Sequence, residues 1–527
     1  MPTRFPRSFA ALAVAGLLAV SLTACGGSSS SAVSSGPGEV DRDATLTLGA
    51  PNRTSVAFNP LRYMGANYGI WNTALYDALV HDTPDGGLAP GLAESWSFPD
   101  ASTMKIVLRP DLKFQDGTAL NADAVKYNWD RLIATPNGVG PGQVLKDTAT
   151  ASMESVTVED PRTVLVRFSK PDQLGTFLGQ LRGGPAFALA IASPTALEGG
   201  DEAFEKNPVG AGPYKFVKMT NESVTLERWD GYYEPEQQRL ANLEVAFVPV
   251  DGAQQVNAVA SGKVNAIGSS VAVADSAKAA GTQVTLAPPV TQMPLYSYMC
   301  MTKAPFDKLE ARQALQYAVD REEFIEPAFS GYGSATDKVT AKAFKFAPTV
   351  ESPYSYDPDK AKKLLTDAGL VGSQVNILVD PDASRTAAAQ VLQTQLNAVG
   401  FNAEVKVVES AYAALRSSPW NMVVNSGPNV IGPLMTYMLP GGGGNACNNN
   451  FPAFNDALGQ LLSNPGAPDA EQQDDWNNLQ KTIWDDAVLL SIGEADQVVL
   501  HDDKVGGIVG DFTDSYISNL LPLYVKK

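Results

Sequence analysis

The side chains able to do chemistry in this 527-residue chain are unevenly supplied: 57 Asp and Glu, three cysteines and two histidines. Two facing carboxylates can share an acid–base task, which is how glycosidic bonds are hydrolysed. Asp474-Asp475 and Asp485-Asp486 are adjacent in sequence, and such pairs read as solvated helix faces. Neither Cys300 nor Cys447 lies in a CxxC, and the histidines are His81 and His501, so no metal site built from His and Cys is expected. GxSxG, HExxH and GxxxxGK[ST] do not occur. Gly441 to Ala446, GGGGNA, formally satisfies GxGxxA, yet it follows Leu439-Pro440 and opens no helical pattern, so it reads as a loop. No catalytic residue, metal or cofactor is expected. Carboxylates distant in sequence can still meet in space, which keeps a hydrolase of oligosaccharides or peptides as the alternative reading.

Cys25 is chemically distinct. Arg4 and Arg7 precede an apolar run from Phe9 to Ala24, shorter than the roughly 20 residues that cross a bilayer core. A basic start, a short apolar stretch and small residues at its end describe a secretory signal peptide over residues 1–24. Leu22-Thr23-Ala24-Cys25 resembles the lipobox of bacterial lipoproteins, in which cleavage precedes a cysteine that then carries lipid. Residues 25–43 read as a tether, because Gly26 to Gly38 are mostly Ser and Gly without charge. The expectation is an extracytoplasmic protein on the cell membrane, held by its lipid alone.

Cleavage leaves 503 residues, enough for two or three domains. The formal charge is −18, or −20 without Arg4 and Arg7, which argues against a nucleic-acid partner. In an oxidising compartment Cys300 and Cys447 form an even pair for which a disulfide is permitted.

The elements around these residues mix strand and helix. Met104 to Pro110 alternates as a strand, and Ser155 to Phe168 reads as a hairpin turning at Asp160-Pro161. Tyr214 to Trp229 is a second hairpin, turning near Asn221. Asn121 is placed to cap a helix whose apolar face carries Val125, Trp129, Leu132 and Ile133. Asp320 and Glu323 form a capping-box variant before Phe324. Asp357-Pro358 starts a helix that stops near Gly369. Ala388, Val391, Leu392, Leu396 and Val399 face one way on a helix ending at Gly400, and Ala403 to Glu409 follows as a strand. The fold class is α/β.

Six segments in order resemble one family. They are LAPGLAESWSF (88–98), LRPDLKFQDGTALNADAVKY (108–127), NPVGAGPYKF (207–216), LERWDGYY (226–233), PFDKLEARQALQYAVDREEFI (305–325) and YDPDKAKKLLTDAG (356–369). Together they are similar to the extracytoplasmic solute-binding proteins of family 5, the peptide/nickel-type receptors of ABC importers. Taken alone, the two glycines and two prolines of NPVGAGPY fix a turn before a strand, and Leu309, Ala314 and Leu315 mark a buried helix.

The resemblance implies a two-lobed periplasmic-binding-protein-like fold with a hinge and an extra subdomain. The N-terminal lobe maps to 44–75, 204–297 and 492–527, its subdomain to 76–203, and the second lobe to 298–491. It also implies a monomer that encloses an oligopeptide, modified peptide or oligosaccharide and delivers it to an ABC permease with its ATPase subunits. Ligand contacts carried over from the family are Tyr63, Met64 and Gly65 after the first strand, Tyr296 and Tyr298 at the crossing between lobes, and Asn425, Ser426, Gly427 and Asn429 in the second lobe. In this fold Cys300 and Cys447 both fall in the second lobe and are expected to bond. Peptide-binding members carry an aspartate in the stretch matching Trp420 to Pro433, where Asn429 or Val430 stands here. Recognition is therefore expected to rest on neutral hydrogen-bonding groups and aromatic faces.

Overall fold

The structure is a computed structural model that describes residues 39–51, 57–62, 70–83, 87–136, 150, 152–169, 177–178, 181, 189–249, 251–286, 292–427, 434, 437–442, 444–508, 512–513, 516–517 and 520–527. Cys25, Tyr63, Met64, Gly65 and Asn429 lie outside the described residues. Val40 to Asp43 do not behave as tether. Val40 bridges Lys526, the Asp41 amide donates to the Val525 carbonyl at 2.9 Å, and Arg42 donates to the Gln238 carbonyl at 2.9 Å. Backbone groups of Val40 and Asp41 and the Arg42 guanidinium supply these anchors.

Two large sheets organise the chain. The first has seven strands in the order 283–286, 498–501, 266–269, 45–51, 242–248, 223–228 and 214–219. Its founding strand, Thr45–Pro51, buries Leu46, Leu48 and Ala50 and runs parallel to both neighbours. The second has six strands in the order 333–335, 489–495, 293–299, 422–426, 374–379 and 402–407. The last three of these run parallel. A separate antiparallel sheet of four strands, 93–100, 103–108, 163–168 and 153–160, has its own core around Trp129, Phe168 and Phe177.

Local chemistry explains the helices. Asn121 accepts the Ala124 amide at 3.0 Å and starts the helix Ala122–Ala134, whose Val125, Trp129 and Leu132 are fully buried. Asp357 caps Pro358–Asp367 through the Lys360 amide. Asp382 caps Ala383–Val399, which Gly400 closes in a left-handed conformation at φ 110°. Glu323 caps nothing; its carboxylate accepts from Gln395 Nε2 at 2.8 Å, and the segment is a short 3-10 turn before Ile325–Phe329. Leu309 opens its helix exposed, while Ala314 and Leu315 are buried.

The chain passes between the large sheets twice. The strand Met293–Met299 already belongs to the second sheet, and Leu489–Ala495 still does. The crossings therefore lie between Leu286 and Met293 and between Ala495 and Val498, a few residues from the boundaries expected at 298 and 491. Beside them Tyr332 of the second lobe donates to Asp275 of the first at 2.6 Å and also pairs with Lys278. Gln292 Nε2 donates to Asp496 at 2.7 Å, tying one crossing to the other.

Candidate functional site

The parallel strands Gln374–Val379 and Met422–Ser426 end on the same edge of the second sheet. In open α/β sheets, the crevice beyond the carboxyl ends of such strands is where ligands bind. Asp380 and Asp382 follow the first strand, and Asn425, Ser426 and Gly427 close the second. The helix Ala383–Val399 begins here and presents Arg385 from its first turn.

Arg385 joins both strand ends. Its Nη1 donates to Asp380 Oδ2 at 3.0 Å and to Asn425 Oδ1 at 3.3 Å. Asp380 Oδ1 accepts the Ala411 amide at 2.6 Å, and Asn425 Oδ1 also accepts the Ser426 amide at 2.9 Å. The Arg385 Nε lies 3.5 Å from Asp382 but makes no hydrogen bond. The guanidinium is thus oriented by two groups and retains donor capacity while about a quarter of its side chain is exposed. A half-buried guanidinium with open donors suits a carboxylate.

Asn425, Ser426 and Gly427 stand at this edge, as does Tyr296, which pairs across the ladder with Asn425. Tyr296 and Tyr298 do not offer open faces: both are buried in the second-lobe core. Tyr298 stacks on Tyr437 at 4.1 Å and meets Trp420 edge-on at 6.3 Å. The aromatic surface that continues outward is Tyr437 against Tyr412, the latter exposed. Burial pushes the Tyr296 hydroxyl far above its ordinary range, Tyr437 adds to the effect and Arg385 opposes it. It therefore stays a neutral hydroxyl, and it has no hydrogen-bond partner. Cys300 and Cys447 are joined by a disulfide, with Cα atoms 5.4 Å apart. Thr302 donates to the Cys447 carbonyl at 2.6 Å, and Asn449 brackets Met299 and Met301, so the bridge fastens the 437–451 segment behind the tyrosines.

Sequence reasoning missed Asp380, Arg385 and Tyr437. The signal for Arg385 lay in DPDAS before a strongly periodic helix: an Asp N-cap leaves the next basic side chain at a strand end. The expectation of a neutral lining is therefore revised, because a charged Arg385–Asp380 pair borders Asn425. On the first lobe, Glu205 accepts the amides of Phe58 and Asn59 at 2.8 and 3.0 Å and orients the chain just before Tyr63. Among the described residues no His, Cys, Asp and Glu cluster is arranged to hold a metal, and no helix is long and apolar enough to cross a membrane.

The profile of the bacterial extracellular solute-binding proteins, family 5 Middle, matches residues 87–448. The chain belongs to this family. The glutathione-binding protein GsiB of Shigella flexneri is 30% identical over 328 residues, covering 61% of this chain and 62% of that protein. GsiB of Pectobacterium atrosepticum is 26% identical over 490 residues, covering 88% and 91%. The first match thus spans less than two thirds of its relative's length. Among solved structures, the ABC transporter substrate-binding protein CtaP of Listeria monocytogenes superposes with a TM-score of 0.76 at 21% identity, over 92% of this chain and all of that one. The periplasmic murein tripeptide-binding protein MppA, in its unliganded open form, gives 0.74 at 19% identity, over 93% and 98%. These likenesses bear out the two-lobed α/β fold. As a member of family 5 the chain is an extracytoplasmic solute-binding protein.

Proposed function

We propose that this solute-binding protein serves an ABC importer, closes its two lobes on a small peptide-like solute and hands it to a permease with its ATPase. The observation that carries the reading is Arg385, held half-buried by Asp380 and Asn425 at the carboxyl ends of two parallel strands. A guanidinium so placed takes the ligand's carboxylate. Relatives named for glutathione and for a murein tripeptide fit ligands of that class. Closure then moves the first lobe onto the bound solute, by rotation between Leu286 and Met293 and between Ala495 and Val498.

The test is calorimetry with glutathione, tri-alanine and tri-alanine amide. Arg385→Ala should weaken carboxylate-bearing ligands by roughly 10- to 100-fold while the melting temperature moves little. Equal affinity of the variant for tri-alanine would remove Arg385 from the site. We further propose that Cys25 carries the lipid anchor. Cys25→Ala should release the protein to the medium or leave its precursor unprocessed, and processing should be globomycin-sensitive. A mature, membrane-bound Cys25→Ala protein would refute the anchor.

A further inference from the structure

Apart from the chain crossings, the two lobes touch through side chains, and the contacts differ in kind. Beside the crossings Tyr332 reaches from the second lobe into the first. Ser330 and Gly331, at φ 52° and 77°, turn the chain out of the helix Ile325–Phe329 and aim the ring. The ring packs on Val271, Ala274 and Val498 and lies 4.7 Å from the Lys278 ammonium, while its hydroxyl donates to Asp275. The Asp496 amide, inside the second crossing, donates to the Tyr332 carbonyl at 3.1 Å. A contact this close to the crossings turns with the lobes without parting.

The other contact uses neither large sheet. Phe98 stands on the edge strand Ala93–Asp100 of the four-stranded sheet, where the pairing with 103–108 slips between Ser97 and Asp100. That sheet is fastened to the first lobe, since Gln115 beyond its second strand donates to the Tyr214 carbonyl at 2.9 Å. The Phe98 ring packs on the sheet's own core and also meets Gly466 of the second lobe. A methyl group at Gly466 would lie 2.6 Å from Phe98 Cδ2 and 3.1 Å from Cε2. The backbone does not demand glycine there, because its φ falls outside the left-handed range. What the missing side chain provides is room for the ring.

The seat is stiff. Pro465 and Pro468 flank Gly466, the Ala467 amide donates to the Asn464 carbonyl at 3.2 Å, and Gln472 Nε2 donates to the Ala467 carbonyl at 2.8 Å. The turn joins the helices Pro452–Ser463 and Asp469–Asp485, whose Leu458, Leu462, Leu479 and Ile483 lie in the second-lobe core. Ring and seat are thus each held by a packed element.

We propose that Phe98 and Gly466 form a catch that holds the two lobes together. Tyr332 is the fulcrum, and the Phe98 ring leaves its seat when the lobes separate. The catch joins protein groups alone, so it acts before solute arrives and sets how much of the chain stands closed at that stage. It rests on rotation of the lobes at the crossings and is independent of the Arg385 reading.

The test needs no solute. Spin labels go on Asp123→Cys and Asp474→Cys, both exposed positions on opposite sides of the catch. Cys25→Ser in the mature chain and the Cys300–Cys447 bridge leave no other thiol to label. Double electron–electron resonance then reads the distance between lobes. The otherwise unaltered chain should show a short-distance population, and Gly466→Leu and Phe98→Ala should each lower the ratio of short to long distances roughly 5- to 30-fold. Gly466→Leu is decisive, because it leaves the Phe98 ring and its core intact even where Phe98→Ala loosens the four-stranded sheet. An unchanged distribution in Gly466→Leu, or a shift to shorter distances in either variant, refutes the catch. Such a failure leaves the Arg385 assignment standing, and failure of the calorimetry with tri-alanine leaves the catch standing.

Discussion

Replacing Glu494 with Gln tests the structure even without ligand. Burial pushes this carboxyl up from an ordinary 4.5 to about 7; the Lys342 amide opposes the rise and Asp496 adds to it. Between those two values the folded chain holds a proton that the unfolded chain has released. Stability therefore falls as pH climbs from about 4.5 to 7 and is level above that. A tenfold change in proton affinity is about 1.4 kcal/mol, so the ionised Glu494 costs the fold about 3 kcal/mol at pH 8. Glutamine keeps the shape and never ionises, but its amide nitrogen needs an acceptor, for which Asp496 is the neighbour that acts on this side chain. The net expectation is a gain of about 1–3 kcal/mol at pH 8 and little change at pH 4. Guanidinium unfolding followed by tryptophan fluorescence, repeated from pH 4 to 8, measures the difference. If the two stability curves run parallel across that range, Glu494 titrates as an ordinary surface acid and the argument from its burial is wrong.

Other substitutions probe the frame around the site. Burial favours the neutral form of Asp77, but His81, Tyr233 and Tyr232 outweigh it and hold the carboxyl below 3.8. Its stabilisation is present above about pH 4 and is lost as pH falls through the folded value. Asp77→Asn should cost about 1–3 kcal/mol at pH 7 and flatten the acid limb of the stability profile, whereas an unchanged acid limb would contradict the pairing. Opening the Cys300–Cys447 bridge, which closes a separation of 147 residues, should cost about 2–5 kcal/mol; a peptide map with both cysteines alkylated before reduction would show no bridge. Gly210→Ala places a methyl group against the Leu75 carbonyl and the Tyr76 ring, with an expected loss of about 1–3 kcal/mol. A melting temperature unchanged in that variant would mean the backbone yields there.

How far the sequence carried differs between frame and site, and the reason is physical. Caps, turns and periodic faces are local, so Asn121, Asp357 and Gly400 could be placed from neighbours a few residues away. The family segments are legible for a related reason. Gln115 of one segment donates to Leu75, Gly212 and Tyr214 and accepts the Gly210 amide, while Trp229 of another donates to Pro213. These motifs hold one another and so mark architecture. The candidate site depends on pairings across long separations, as between Arg385 and Asn425 or Tyr296 and Asn425, which spacing along the chain does not encode. Tyr298 illustrates the limit: an aromatic on a strand reads equally as ligand platform or packing, and only its stack on Tyr437 decides the matter.

The position of the two crossings bears on how such a protein can be rebuilt. On one side they leave paired strands, with Leu286 opposite Val498; on the other they enter paired strands, with Met293 opposite Ala495. The second lobe is therefore a cassette whose two ends lie a strand spacing apart. Deleting it brings two antiparallel strands together where an Asn-Gly turn suffices to join them as a hairpin, and the excised piece keeps its own sheet and core. Each half can thus be exchanged against the corresponding half of a relative without re-routing the chain, so recombination at these two points can pair one first lobe with many different second lobes.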